Sequence, residues 1–359
     1  MRHLKLFMLL ALTRVALVHA GNAILSEPVS FYGTDEAKRI AENLLVYQHD
    51  NGGWPKNYDW KKELTEADKK RLLEEKKRPE DTTFDNAATH SEIRFLDKMF
   101  QVTKKPCYKE AALKGLHFIL RSQYPNGGFP QFPCRTKGYY IHVTYNDGAM
   151  IGVLTVLKQI SERQILGDVI DEALRKSCEQ AVKKGIDCIL KSQIRVEGKP
   201  ALWCAQHDKE TLAPVIARSY ELPSFSGSES VGIVRFLMSL ETPSPEIIAS
   251  IEGAIAFFER LKLKGIRVES KRLADGTSDA VVVDAPDAKP MWARFYDLKT
   301  LKPIFCSRDG VPREKLSDIS FERRNGYSWL GYYAASLLEK DYPAWKIKNK
   351  CEDRSNEEL

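Results

Sequence analysis

Residues 49–59 read HDNGGWPKNYD, and residues 124–133 read YPNGGFPQFP. Both place Asn-Gly-Gly ahead of an aromatic residue and a proline. Both follow a helix-patterned run that closes on glutamine, Gln48 in the first case and Gln123 in the second. Asn51 and Asn126 stand 75 positions apart. A third, partial copy comes 70 positions after the second: HFILRSQ, ending at Gln123, is echoed by DCILKSQ, ending at Gln193, again with a tryptophan downstream, Trp203. The repeating unit is therefore helix, glutamine, loop, aromatic. Its period exceeds the roughly 20–50 residues of common solenoid repeats. Large helical hairpins arranged around a ring give such a period and gather the repeated loops at one end of the helices. Loops held on a rigid scaffold are where function concentrates.

The flanking sequence agrees. DEAKRIAENLLVYQ places Ala37, Ile40, Ala41, Leu44 and Leu45 on one helical face, and HSEIRFLDKMFQV does the same with Ile93, Leu96 and Phe100. DGAMIGVLTVLKQI is apolar enough for a helix buried nearly all round. Further helices are expected over 107–123, 169–193, 228–240, 245–263 and 327–338. The charge-laced stretch 59–81 reads as an exposed helix or a mobile insertion. Between Gly265 and Arg308 the pattern changes: GIRVES and AVVVD, separated by LADGTSD, alternate like a short β-hairpin. The expected class is mostly α, with a small β excursion in the C-terminal third.

Hydrophobic residues make up 43% of the 359 and charged residues 29%, the balance of a soluble globular protein with ample core. Residues 1–20 stand apart: a basic start, an apolar stretch interrupted by Arg14, and Val18-His19-Ala20 before Gly21. That is the pattern of a cleaved secretory signal, too short in its apolar run for the ~20 residues of a membrane span. It leaves residues 21–359 as a single catalytic domain. The formal charge of +6 falls to +3 once Arg2, Lys5 and Arg14 are removed, a mild bias that suits an anionic partner. No basic run interleaves with aromatics as nucleic-acid modules require. Seven cysteines follow the signal, with no CxxC spacing that would mark a zinc site. In an oxidising compartment pairs can form among them, and an odd count leaves at least one free or intermolecular.

Four loop-like segments carry residues a scaffold does not need. TTFDNAATHSE opens a helix with Asp85 and Asn86, and YNDGAM opens the next with Asn146 and Asp147. The two segments lie 62 residues apart and are like each other, which places them at equivalent points of adjacent hairpins. Singly, each acid reads as a helix cap. Together, two matching acidic caps beside the NGG loops offer converging oxygens to a hard cation such as Ca²⁺. The other two segments hold Arg218, in APVIARSYELPSFSGSES, and Arg294 and Arg308, in WARFYDLKTLKPIFCSRDG. A lone arginine is usually a solvated charge. Three in aromatic-rich loops point instead to carboxylate recognition, which guanidinium forks perform well.

In order, NGGWPKN, TFDNAATHSEIRFL, YNDGAM, ARSYELPS, WARFYDL with PIF and RDG after it, and RRNGYSWLGYY resemble the pectate lyases of polysaccharide lyase family 10. The resemblance runs from about Asp35 to Leu338. It implies an incomplete α/α toroid, an (α/α)3 barrel, that cleaves polygalacturonate by Ca²⁺-assisted β-elimination in a deep groove rimmed by the repeated loops. It implies Asp85 and Asp147 as calcium-binding acids with Asn86 beside them, and Arg218 as the Brønsted base. Arg294 and Arg308 would bind the uronate carboxylate, with Lys56 among the substrate contacts. The expected partners are polygalacturonate and pectin oligosaccharides, with neither nucleic acid nor membrane, acting on a monomeric secreted enzyme.

Three other classes offer tests. An inverting glycoside hydrolase needs two carboxylates ~6.5–9.5 Å apart and yields no unsaturated product. A triterpene-cyclase-like toroid would share Gln before Gly-Gly-Trp but needs an Asp-rich DxDD donor, which this sequence lacks. A catalytically dead pectin binder would keep the aromatics and Arg294 and Arg308, without need of Asp85, Asp147 and Arg218 together.

Overall fold

The computed structural model describes residues 24–357, so the expected signal segment 1–20 lies outside the described residues. The structure is 48% helical, well above the usual third, and every sheet among the described residues has two strands. The chain divides into two compact units between Cys188 and Ile189.

The first unit is built from α1 (Asp35–Tyr47), α2 (Glu66–Glu75), α3 (His90–Thr103), α4 (Pro106–Arg121), α5 (Ala149–Ser161) and most of α6 (Glu172–Ser192). Thr34 caps α1, accepting the Ala37 N–H at 3.2 Å, with Asp35 and Glu36 in the first turn against the helix dipole. Ala37, Ile40, Ala41 and Leu44 of α1 are fully buried, the face expected from the sequence. In α3 the buried face is Ile93, Leu96, Phe95 and Met99, and Phe100 lies at its edge. Helices α3 and α4 form a hairpin closed by left-handed Lys104 and by Pro106 at the first position of α4. The charged stretch does form an exposed helix, α2. A capping box between Thr65 and Asp68 starts it, and Leu72 is its one buried residue.

The repeated loops close these helices. After α1, Gln48 Nε2 donates to the carbonyls of Gly52 (2.9 Å) and Ala111 (2.8 Å). After α4, Gln123 Nε2 donates to Gly127 (2.9 Å) and Ala181 (2.8 Å). After α6, in the second unit, Gln193 Nε2 donates to Ala201 (2.8 Å) and Ser250 (3.0 Å). Each glutamine ties its own loop to a helix further along the chain, α4, α6 and the helix Pro245–Arg260 in turn. Asn51 and Asn126 accept the N–H of Gly53 and Gly128, both at 3.0 Å, so the two NGG turns are the same Asx turn. The aromatic that follows points inward: Trp54 Nε1 donates to Leu44 O and Trp203 Nε1 to Ile189 O, each four residues before its glutamine. The repeat is thus a structural closure that ties each loop to neighbouring backbone through side-chain donors.

The second unit contains α7 (Glu229–Met238), α8 (Pro245–Arg260) and a short α9 (Phe321–Asn325), with β1 (Phe225–Ser226), β2 (Ile266–Arg272), β3 (Ser278–Asp284), β4 (Trp292–Ala293), β5 (Phe295–Tyr296), β6 (Phe305–Cys306), β7 (Pro312–Arg313) and β8 (Leu330–Gly331). The expected hairpin is β2–β3, in register from Ile266 opposite Asp284 to Arg272 opposite Ser278. It is anchored by Asp279, which accepts both arms of Arg324 at 2.7 Å. Strand β1 pairs with β5, placing Phe225 opposite Tyr296, and β4 pairs with β8.

That last pairing corrects the helix expected over 327–338. Residues Leu330–Gly331 are strand, and helix resumes only near Ala335, passing through a π-turn (Leu337–Asp341) into α10 (Tyr342–Glu357). The aromatics decide it: Trp329 is buried against Phe295 and Phe305, and Trp329 O accepts the Arg294 N–H at 2.7 Å. Among the described residues Cys107, Cys134, Cys178, Cys204 and Cys306 are free thiols. Cys178 and Cys188 sit ten residues apart on α6, ~15 Å along the axis, beyond disulfide reach.

Candidate functional site

In the first unit the two acidic segments form matching 3-10 turns, Asp85–Ala87 and Asn146–Gly148, packed against each other. Their backbone partners give the alignment: Thr83 N–H donates to Trp54 O and Thr144 N–H to Phe129 O, both at 3.0 Å. Asp85 therefore corresponds to Asn146, and Asn86 to Asp147. The expected matching acidic caps do not form. Neither acid caps a helix, and the two occupy successive positions of equivalent turns. Asn86 (φ 51°) and Asp147 (φ 50°) are both left-handed, followed by Ala87 (φ 64°) and Gly148 (φ 71°). Thr89, a β-branched residue, sits at φ 70° with its hydroxyl donating to Thr83 O and accepting from Trp54 N. The non-glycine residues among them cost about 1–3 kcal/mol each, so backbone strain is concentrated in and beside these two turns.

Asp85 is fully buried, its Oδ2 ion-paired with Lys56 Nζ, and its Oδ1 has no hydrogen-bond partner. Asn86 Nδ2 donates to Asn57 at 2.8 Å, fixing the WPKN loop to the turn. Asn146 Nδ2 donates to Asp147 Oδ2 at 2.6 Å, and Asp147 itself is exposed. On α3, Glu92 lies buried with Oε1 accepting from Tyr58 at 2.8 Å, and burial pushes its carboxyl up to about 7. Burial also lowers His90 well below the usual histidine range, helped by the neighbouring Arg94.

The arginines lie in the second unit. Arg218 is one-third exposed and donates from Nη1 to Glu221 Oε1 (3.3 Å) and to the Tyr220 hydroxyl (3.2 Å). Glu221 is buried and also accepts from Tyr327 at 2.8 Å. Arg294 is mostly buried, its Nη2 2.5 Å from Glu229 and its guanidinium 4.7 Å from the Tyr327 ring. Arg308 is well exposed and grips Glu322 with both arms, at 3.2 and 3.0 Å, a pairing that raises its pKa. Arg218, Arg308 and Arg323 all stand over the Tyr220 ring, at 6.0, 5.6 and 4.6 Å.

The structure thus brings Lys56, Asp85, Asn86 and Asp147 together in one unit, and Arg218, Arg294 and Arg308 in the other. Sequence reading missed the glutamates that hold each arginine: Glu221, Glu229 and Glu322. Only Glu221, three residues from Arg218, left a local signal. Glu92 and Tyr58 were missed as well.

Among the described residues no group of three or more His, Cys, Asp or Glu is placed to hold a metal ion. Two carboxylates on adjoining turns, one with an orphaned buried oxygen, nevertheless offer the hard all-oxygen donors a Ca²⁺ ion takes. They supply fewer than its usual 6–8 ligands, so such an ion would complete its shell from an anionic substrate and water. The residues fit a shared cation rather than a closed protein site.

A family model described as pectic acid lyase matches residues 48–338. A mutant form of a family 10 polysaccharide lyase from Cellvibrio cellulosa, solved in complex with trigalacturonic acid, is 36% identical, with a TM-score of 0.74 over 84% of this chain and 91% of that one. A second structure of a family 10 polysaccharide lyase from Cellvibrio cellulosa is 35% identical, with a TM-score of 0.74 over 86% and 93% of the two chains. The fold class shared with these enzymes is the α/α toroid. No curated protein matches the chain.

Proposed function

The chain belongs to the pectic acid lyase family and is a pectate lyase, and on that premise we propose that it works outside the cell by calcium-assisted β-elimination, releasing 4,5-unsaturated oligogalacturonides. The observation that carries the proposal is the pair of left-handed turns that leave a buried Asp85 oxygen without a partner beside Asp147. Such an arrangement suits recognition of charge, and the solved relative bound to trigalacturonic acid supports an oligogalacturonate as the ligand. No described helix is long and apolar enough to cross a membrane. Secretion rests on the sequence of residues 1–20.

The C5 hydrogen of a galacturonate unit lies α to a carboxylate, and removing it builds negative charge on that group. Stabilising this charge is the main demand on the site. Arg294 and Arg308 answer it with planar forks, each already held on a glutamate. Arg308 has the freedom to turn to substrate, because Arg323 also binds Glu322 and keeps that carboxylate paired. Asp85 and Asp147, with Asn86 beside them, would hold Ca²⁺, which when bound supplies positive charge to an anionic substrate. Arg218 takes the C5 proton. The C5–H electron pair becomes the C4–C5 double bond as the C4–oxygen bond breaks, and the leaving oxygen is then protonated. No water is consumed.

A guanidine accepts a proton only where its charged form is disfavoured. Arg308 acts in that direction, and the Glu221 carboxylate acts against it. An alkaline optimum follows. Ultraviolet absorbance of polygalacturonate with the protein, with and without chelator, tests the proposal. New reducing ends without the unsaturated chromophore would identify a hydrolase instead, and equal rates in excess chelator would remove calcium from the mechanism.

A further inference from the structure

We propose that Arg135, clamped between Phe132 and Tyr140, is an additional carboxylate-binding subsite for sugars beyond the one at Asp85; this rests on the pectate-cleaving reading above. The guanidinium carbon stands 3.9 Å from the Phe132 ring centre and 4.4 Å from that of Tyr140. The rings meet edge to face at 5.2 Å and 80°, so the arginine fills the corner between them. The corner is rigid. Phe132 is buried, the N–H groups of Gln131 and Phe132 both donate to Tyr140 O (3.1 and 3.3 Å), and Arg135 N–H donates to Phe132 O at 3.1 Å. Arg135 Nε donates at 3.1 Å to the backbone carbonyl of Glu80.

These contacts pack the guanidinium carbon against both rings and use Nε. They leave Nη1 and Nη2 without a carboxylate among the described residues, whereas Arg39 and Arg71 of the same unit pair with Glu63 and Glu75. A stacked arginine of this kind has its fork oriented in advance, so little side-chain freedom is lost when a carboxylate arrives.

Its location gives the ligand class. Lys56, the partner of Asp85, places its ammonium 5.4 Å from the centre of the same Phe132 ring. The two cations therefore lie within about 9 Å of each other, the most that the 5.4 and 3.9 Å separations from that shared centre allow. A polymer with a carboxylate on every sugar can meet both at once. A neutral glycan would leave the Arg135 fork without a carboxylate.

Initial rates of wild type, Arg135→Gln and Arg135→Lys on tri- and hexagalacturonate test the subsite. Its expected signature is a fall of about tenfold in the ratio of kcat/KM for hexamer over trimer in Arg135→Gln, carried by KM, with the lysine variant intermediate. An unchanged ratio in a variant that melts like wild type overturns the subsite while leaving the pectate reading intact. Absence of cleavage by wild type on either length sinks that reading and the subsite with it. Should the glutamine variant melt early, the same ratio measured in Arg135→Lys, which keeps the charge beside Phe132, decides the matter.

Discussion

Glu92→Gln should change how stability depends on pH, by an amount the structure sets. The carboxyl is buried, accepts one hydrogen bond from Tyr58, and has its second oxygen unpartnered. Burial raises it from an ordinary 4.5 to about 7. Below pH 4.5 it is protonated in both folded and unfolded chains. Between 4.5 and 7 the unfolded chain releases the proton while the folded chain keeps it, so stability falls as pH rises through that window. Above 7 the loss is complete. At about 1.4 kcal/mol per unit, the window is worth about 3 kcal/mol. Glutamine preserves the acceptor for Tyr58 but buries a new N–H₂ group, a pH-independent cost of about 1–3 kcal/mol. Urea unfolding followed by tryptophan fluorescence at pH 4 and pH 8 measures both. The variant should be the weaker protein at pH 4, and the gap should close or invert at pH 8, moving by about 3 kcal/mol. Other titrating groups cancel in that difference. A gap that moves by less than about 1 kcal/mol would refute the claim that this carboxyl is held neutral in the folded chain.

Other perturbations separate scaffold from chemistry. Gly127→Ala places a Cβ 1.9 Å from Lys184 O at a φ of 90° and should cost more than about 3 kcal/mol in thermal unfolding, whereas Gly276→Ala, at the open tip of the hairpin with φ 80°, should cost about 1 kcal/mol; equal losses would mean the first loop simply shifts. Arg308→Lys keeps the charge but loses the fork, so turnover of polygalacturonate should fall at least tenfold with little change in melting, because the exposed pair with Glu322 adds at most about 1 kcal/mol; wild-type turnover with lowered stability would make Arg308 a structural ion-pair member. Arg218→Ala and Arg218→Lys should lose several orders of magnitude in the elimination step while calorimetry still shows oligogalacturonate binding, and wild-type rates should climb from pH 7 towards pH 10; a tenth of wild-type turnover in the alanine variant would give the role of base to another group.

Much of this was legible in the sequence because it is local. The Asn-Gly-Gly turn, the amphipathic faces of α1 and α3, the exposed helix α2 and the β2–β3 hairpin are each decided by residues within a few positions of one another. The repeat itself was visible as spelling, and so were the acids and arginines that the family resemblance singled out. Tertiary structure decided the rest. Gln48, Gln123 and Gln193 matter for carbonyls 63, 58 and 57 residues away, which no local pattern reveals. The one-position offset between Asp85 and Asp147 follows from which threonine meets which aromatic carbonyl. Tyr327–Leu338 looked helical by periodicity, yet pairing with Trp292–Ala293 drew its middle into a strand. The arginines' partners were hidden for the same reason: Tyr327 reaches Glu221 across 106 residues and Arg294 reaches Glu229 across 65. Sequence determines which groups the chain owns and the turns and helices they sit on. Which buried charge faces which is settled only by packing, since a buried charge finds its partner in space and not along the chain.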